Sequence, residues 1–86
     1  MITGLKTYLE RISDGELIDI DIVLKKKRQG YYDDNFDVFI YTKIGKETDN
    51  PFYDHYLMNK YDTKVRDFLN MAGVNFNDGS VWFEFK

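Results

Sequence analysis

With 86 residues, no cysteine and a single histidine, the chain has the size of one domain that buries only about 60 to 65% of its unfolded surface. Neither disulfides nor a Cys/His metal centre can hold it, which leaves dense packing of its seven Phe, seven Tyr and one Trp as the source of stability. A net charge of −3 excludes a uniformly basic nucleic-acid binder but allows a local basic patch.

The first predicted element is a helix, because Ile2, Leu5, Leu9 and Ile12 recur at helical spacing with Tyr8 at the edge of the same face, until Ser13, Asp14 and Gly15 break it. From Glu16 to Lys25 the period changes to two. Ile18, Ile20, Ile22 and Leu24 then share one face of a strand, and Leu17, Asp19, Asp21, Val23 and Lys25 share the other. Phe36 to Ile44 repeats the alternation, with Phe36, Val38, Ile40, Thr42 and Ile44 against Asp37, Phe39, Tyr41 and Lys43. An antiparallel hairpin follows, its tip formed by Lys26 to Asn35 around Gly30.

Gly45 to Pro51 reads as a loop. Phe52 to Tyr61 matches both periods, as a strand through Phe52, Tyr56 and Met58 and as a helix through Tyr53, Tyr56, Leu57 and Tyr61, and short helical or irregular structure is expected there. Asp62 or Thr63 is positioned to cap a second helix carrying Val65, Phe68, Leu69 and Ala72, with Gly73 at its end. A turn at Asn77 to Gly79 separates Val74 to Phe76 from a last strand, Val81 to Phe85, which could form a hairpin. The expected fold is a single α+β domain over 1–86, in the order α-β-β-(α or loop)-α-β. Its largely antiparallel, three- to four-stranded sheet has two amphipathic helices packed on one face, against Ile18, Ile20, Ile22, Val38 and Ile40.

The absence of cysteine fits a reducing compartment, and Met1 to Leu9 has isolated apolar residues rather than the continuous run of a signal peptide. No window approaches the roughly 18 apolar residues of a membrane span. A cytoplasmic protein is expected, in the host cytoplasm if phage-encoded, with no membrane partner. Phe, Tyr, Met, Ile, Asn and Lys outnumber Gly, Ala, Pro and Arg by 39 to 11, which points to an A/T-rich coding genome, bacterial, phage or plasmid.

Catalytic chemistry finds little to work with. His55 sits beside Asp54, but no nucleophile accompanies it, since Ser13 and Ser80 both fall in turns. Asp33, Asn35 and Asp37 imitate the opening of a calcium loop, yet Val38 and Ile44 stand where the glycine and the bidentate acid belong. Glu84 and Lys86 have the acid-x-Lys spacing of some nuclease centres, a triplet that chance also supplies. No catalytic, metal or cofactor residues are assigned, and no enzyme is expected.

Binding is better served. Asp19, Asp21 and Asp37 share the outer face of the hairpin, Tyr31, Tyr32, Asp33 and Asp34 lie at its tip, and Tyr53, Tyr56 and Tyr61 fall in a Tyr- and Met-rich segment of interface-like composition. These residues are the candidate protein-binding set. The expected function is a small protein-binding module: an inhibitor or accessory protein of a phage or mobile element that occludes another protein's surface. A blocker of a nucleic-acid-processing enzyme, such as an anti-CRISPR protein acting on a host nuclease, is one example of that type. The alternative is a nucleic-acid-binding accessory protein. It would use Lys25, Lys26, Lys27 and Arg28 for phosphates and Tyr31 and Tyr32 for stacking, against the opposing field of Asp33, Asp34 and Asp37.

Overall fold

The computed structural model describes residues 3–26, 36–73 and 80–86. Its elements run α1 (Thr3–Ser13), β1 (Leu17–Lys26), β2 (Phe36–Ile44), α2 (Tyr53–Met71) and β3 (Val81–Phe85). In α1 the helical spacing delivers Leu5 and Leu9 to the core, with Tyr8 and Ile12 packed beside them. The helix stops where Asp14 and Gly15 both take positive φ, a conformation these two residue types tolerate, and the Glu16 N–H bonds back to the Ser13 carbonyl at 2.9 Å.

β1 and β2 form the expected antiparallel hairpin, with Ile22 opposite Ile40, Val23 opposite Phe39 and Leu24 opposite Val38. The ladder is interrupted between Ile18 and Asp21, where Asp19 adopts φ 52°. One extra residue on one strand reverses the side-chain parity before it. Leu17 therefore enters the core at 2% exposure, and Ile18 stays 42% exposed on the outer side. This corrects the expected inward placement of Ile18, which assumed unbroken alternation. Thr42 accounts for the geometry: fully buried on β2, it donates its hydroxyl to the Ile18 carbonyl at 2.7 Å and so satisfies an acceptor where the ladder is broken.

Among the described residues the sheet has three strands in the order β1-β2-β3, and β3 runs parallel to β2, with Phe39 beside Trp82 and Ile40 beside Phe83. It is thus mixed, in place of the largely antiparallel sheet of three to four strands expected from the sequence. The reason is α2, which spans the connection and returns the chain to enter β3 in the direction of β2, as helical crossovers do. The expected strand partner at Val74 to Phe76 lies outside the described residues.

α2 is one uninterrupted helix of 19 residues. Leu57, Tyr61, Val65 and Leu69 recur every fourth position and are all buried, so residues 53–61 are the helix's first half, with Phe52 at its N-cap, and Asp62 and Thr63 are interior positions rather than caps. Asp62 instead pairs with Arg66 one turn on, at 3.1 Å. The helix start is set earlier. The Asn50 side chain accepts the Phe52 N–H at 2.9 Å, and Pro51, which has no N–H to lose, precedes the first turn.

Both helices contribute to one core on one face of the sheet, where Leu5, Leu9, Leu57, Tyr61, Val65 and Leu69 meet Leu17, Ile20, Val38, Ile40 and Phe83. Among the described residues no helix covers the other face. Thr42→Val should remove the hydroxyl at the bulge and lower stability by about 1 to 2 kcal/mol. Asp19→Gly, which keeps the positive φ and loses only an exposed ion pair, should change it by less than about 1 kcal/mol; urea unfolding of both variants measures the difference.

Candidate functional site

Two arrangements concentrate polar chemistry. The first is buried. Glu16, 8% exposed in the turn between α1 and β1, receives three donors from α2: the Lys60 ammonium at 2.6 Å, the Tyr61 hydroxyl at 2.7 Å and the Tyr53 hydroxyl at 2.8 Å. The Lys60 hydrogen bond, joined by those from Tyr61 and Tyr53 and opposed by burial, draws the Glu16 carboxyl down to about 2. Lys60 is raised in return by its bond to Glu16. Burial, followed by the bond to Glu16, pushes the Tyr61 hydroxyl up to about 12. A carboxylate this acidic and this fully bonded makes a poor general base near neutral pH. What it can do is tie α2 to the turn.

The second arrangement is the uncovered face of the sheet. Strand registers set its outward side chains in rows: Lys25 and Asp37; then Val23, Phe39 and Trp82; then Asp21, Tyr41 and Glu84; then Ile18 and Lys43. Strand spacing and rise make this a patch about 10 Å across and 20 Å long. Trp82 is 54% exposed, Val23 and Ile18 are exposed as well, and Phe39 and Tyr41 are half-buried. Two cations on the face are already engaged: Lys25 stands 5.0 Å from the centre of the Phe39 ring, and Lys43 lies 3.5 Å from Asp19. Asp21 and Glu84 form no ion pair among the described residues.

The structure disperses the residues singled out from the sequence. Asp19 and Asp21 are exposed on the outer face as placed. Asp37 faces the same way but also accepts the Ser80 N–H at 3.0 Å, which anchors the entry to β3. Tyr61 is 2% exposed with its hydroxyl on Glu16, and Tyr53 turns its hydroxyl to the same carboxylate. Tyr56 is exposed on α2, stacked on Tyr53 at 5.6 Å. Tyr31, Tyr32, Asp33, Asp34, Lys27 and Arg28 lie outside the described residues, as does the Lys26 side chain; Lys25 is the described member of the basic run.

His55 is exposed at the start of α2, near the Phe52 ring at 6.4 Å. Among the described residues no three His, Cys, Asp or Glu side chains are grouped to hold a metal ion, and Glu84 and Lys86 form no ion pair with each other. Sequence reasoning missed Glu16, Lys60 and the row of Val23, Phe39 and Trp82. The row was legible as the second face of each strand; the pairing of Glu16 with residues more than 35 positions away was not. Comparison with protein-family models, with curated proteins and with solved structures finds no match for this chain, so the site is read from its own chemistry.

The Glu16 tie carries a pH signature. Its folded pKa of about 2 lies below the ordinary 4.5, so its contribution is complete above pH 4.5 and is lost as pH falls towards 2. Tyr61 has the opposite sign: raised to about 12 from 10, it supports the fold below pH 10 and ceases to do so as pH climbs through 12. Glu16→Gln should lower stability at neutral pH by roughly 2 to 3 kcal/mol, Lys60 being free to move into water. Denaturant midpoints followed against pH should show the gap between variant and wild type closing from pH 4.5 to 2.

Proposed function

We propose that this chain is a protein-binding module that acts by covering a partner's surface and carries out no reaction of its own, with the uncovered sheet face as its docking surface. The observation that carries this reading is the row of Val23, Phe39 and Trp82, exposed or half-buried in the middle of that face, opposite the side on which both helices pack. A contiguous apolar patch rimmed by charge is what interaction surfaces expose, and tryptophan and tyrosine at its centre are the residues from which binding energy is most often drawn.

The A/T-rich residue usage, the small size and the mixed charge support placing the module among inhibitors or accessory proteins of a phage or mobile element, a blocker of a host nuclease being one such role. Nucleic acid is the weaker partner for this face, because two of its cations are engaged within the protein and Asp21 and Glu84 would repel phosphates.

Trp82 is the sole tryptophan and reports on its own face. In the free protein its emission should be red-shifted and readily quenched by acrylamide; a bound partner should shift it to the blue and shield it. Trp82→Ala should weaken a purified partner by about 2 kcal/mol or more, roughly thirtyfold in Kd, while Lys26→Ala with Lys27→Ala leaves it unchanged. Equal affinity for the Trp82 variant would remove this face from consideration. Loss in the lysine variant, with steep salt dependence on a polynucleotide, would favour nucleic acid instead.

A further inference from the structure

Resting on that reading of the face, we infer that the partner presents an arginine next to an apolar side chain, and that the row of Asp21, Tyr41 and Glu84 receives it. The register places Asp21 and Glu84 on either side of Tyr41, on neighbouring strands, so two carboxylates about 10 Å apart flank one phenol ring. Lys25 is drawn over Phe39 and Lys43 to Asp19, while Asp21 and Glu84, beside the apolar row, form no ion pair among the described residues. The complement of that pattern is a cation, and the ring between the acids selects its type. A guanidinium can lie flat on an aromatic face, reach a carboxylate with two parallel N–H donors and shed its weak hydration, whereas an ammonium offers only a point charge that water holds tightly.

The rows also set the spacing. Val23, Phe39 and Trp82 stand two residues along their strands from Asp21, Tyr41 and Glu84, a separation of about 7 Å that matches side chains i and i+2 of an extended segment. The occupant is therefore an extended protein segment with arginine two positions from a large apolar residue.

A phage-displayed library of random linear peptides, selected on the immobilised full chain, tests this. Selected sequences should pair arginine with Trp, Phe, Leu or Ile two positions away, and their affinity, read from Trp82 emission, should fall as salt rises. Asp21→Asn with Glu84→Gln should weaken them by about tenfold or more, and arginine to lysine in the peptide by several-fold. A control pair in the exposed loop, Glu47→Gln with Asp49→Asn, should leave affinity unchanged. All four substitutions are at exposed positions, so the fold should tolerate them. Peptides that need Trp82 yet lack a basic residue and ignore the Asp21 and Glu84 changes would overturn the inference and leave the docking face standing. So would oligothymidine binding through this face in preference to any peptide. No selected peptide, or only peptides indifferent to Trp82→Ala, would overturn the docking face itself.

Discussion

The buried carboxylate of Glu16 is the constraint on which the arrangement of elements depends. Its residue occupies the turn between α1 and β1, its carbonyl accepts the Gly45 N–H at the end of β2 at 2.9 Å, and its side chain is held by Tyr53, Lys60 and Tyr61 of α2. Four elements thus meet at one residue. Gly45 belongs to the same junction, since a Cβ there would lie 1.9 Å from the Gly15 carbonyl oxygen, and only glycine lets the two backbones approach. A buried charge is costly unless its partners are complete, and here they are: among the described residues no buried side-chain polar atom lacks a partner. The cost of misplacing α2 is therefore high, and the tie acts as a specification of geometry as much as a source of stability.

Local pattern carried much of the fold, and each departure has a physical cause at a particular residue. Alternation located both strands of the hairpin and its two faces, because one side packs on helices and the other does not. It missed the inversion at Ile18, since a bulge depends on one residue tolerating positive φ and on a distant Thr42 hydroxyl, neither visible in periodicity. The dual pattern of 52–61 was resolved by its continuation: Leu57 and Tyr61 extend in steps of four into Val65 and Leu69, which a strand cannot do. The direction of β3 was hidden because strand composition is silent on pairing sense. Of the site, Asp19 and Asp21 are exposed on the outer face as expected, while Tyr61, expected in the binding set, has its ring in the core and its hydroxyl on Glu16.

The aromatic surplus of the chain is accordingly divided between two uses. Tyr61, Tyr53 and Phe83 belong to the helix side, where rings fill volume and hydroxyls meet a carboxylate. Phe39, Tyr41 and Trp82 belong to the open side, where they extend a flat surface. Phe83 and Trp82 are successive residues of β3 that face opposite sides of the sheet, so a substitution on the outer face leaves the core layer in contact with the helices. Such separation lets the exposed rows vary in chemistry without disturbing the polar tie at Glu16.

The mixed sheet also orders the way the molecule assembles. β1 and β2 are neighbours in sequence, and pairing them is a local event with little loop entropy to overcome. β3 has no such route, because among the described residues it pairs with β2 alone, with the whole of α2 in between. Its pairing with β2 must close the far longer loop that contains α2. The parallel pairing is thus the costlier of the two to close, and the tryptophan that β3 carries becomes part of a continuous surface only once that pairing is made.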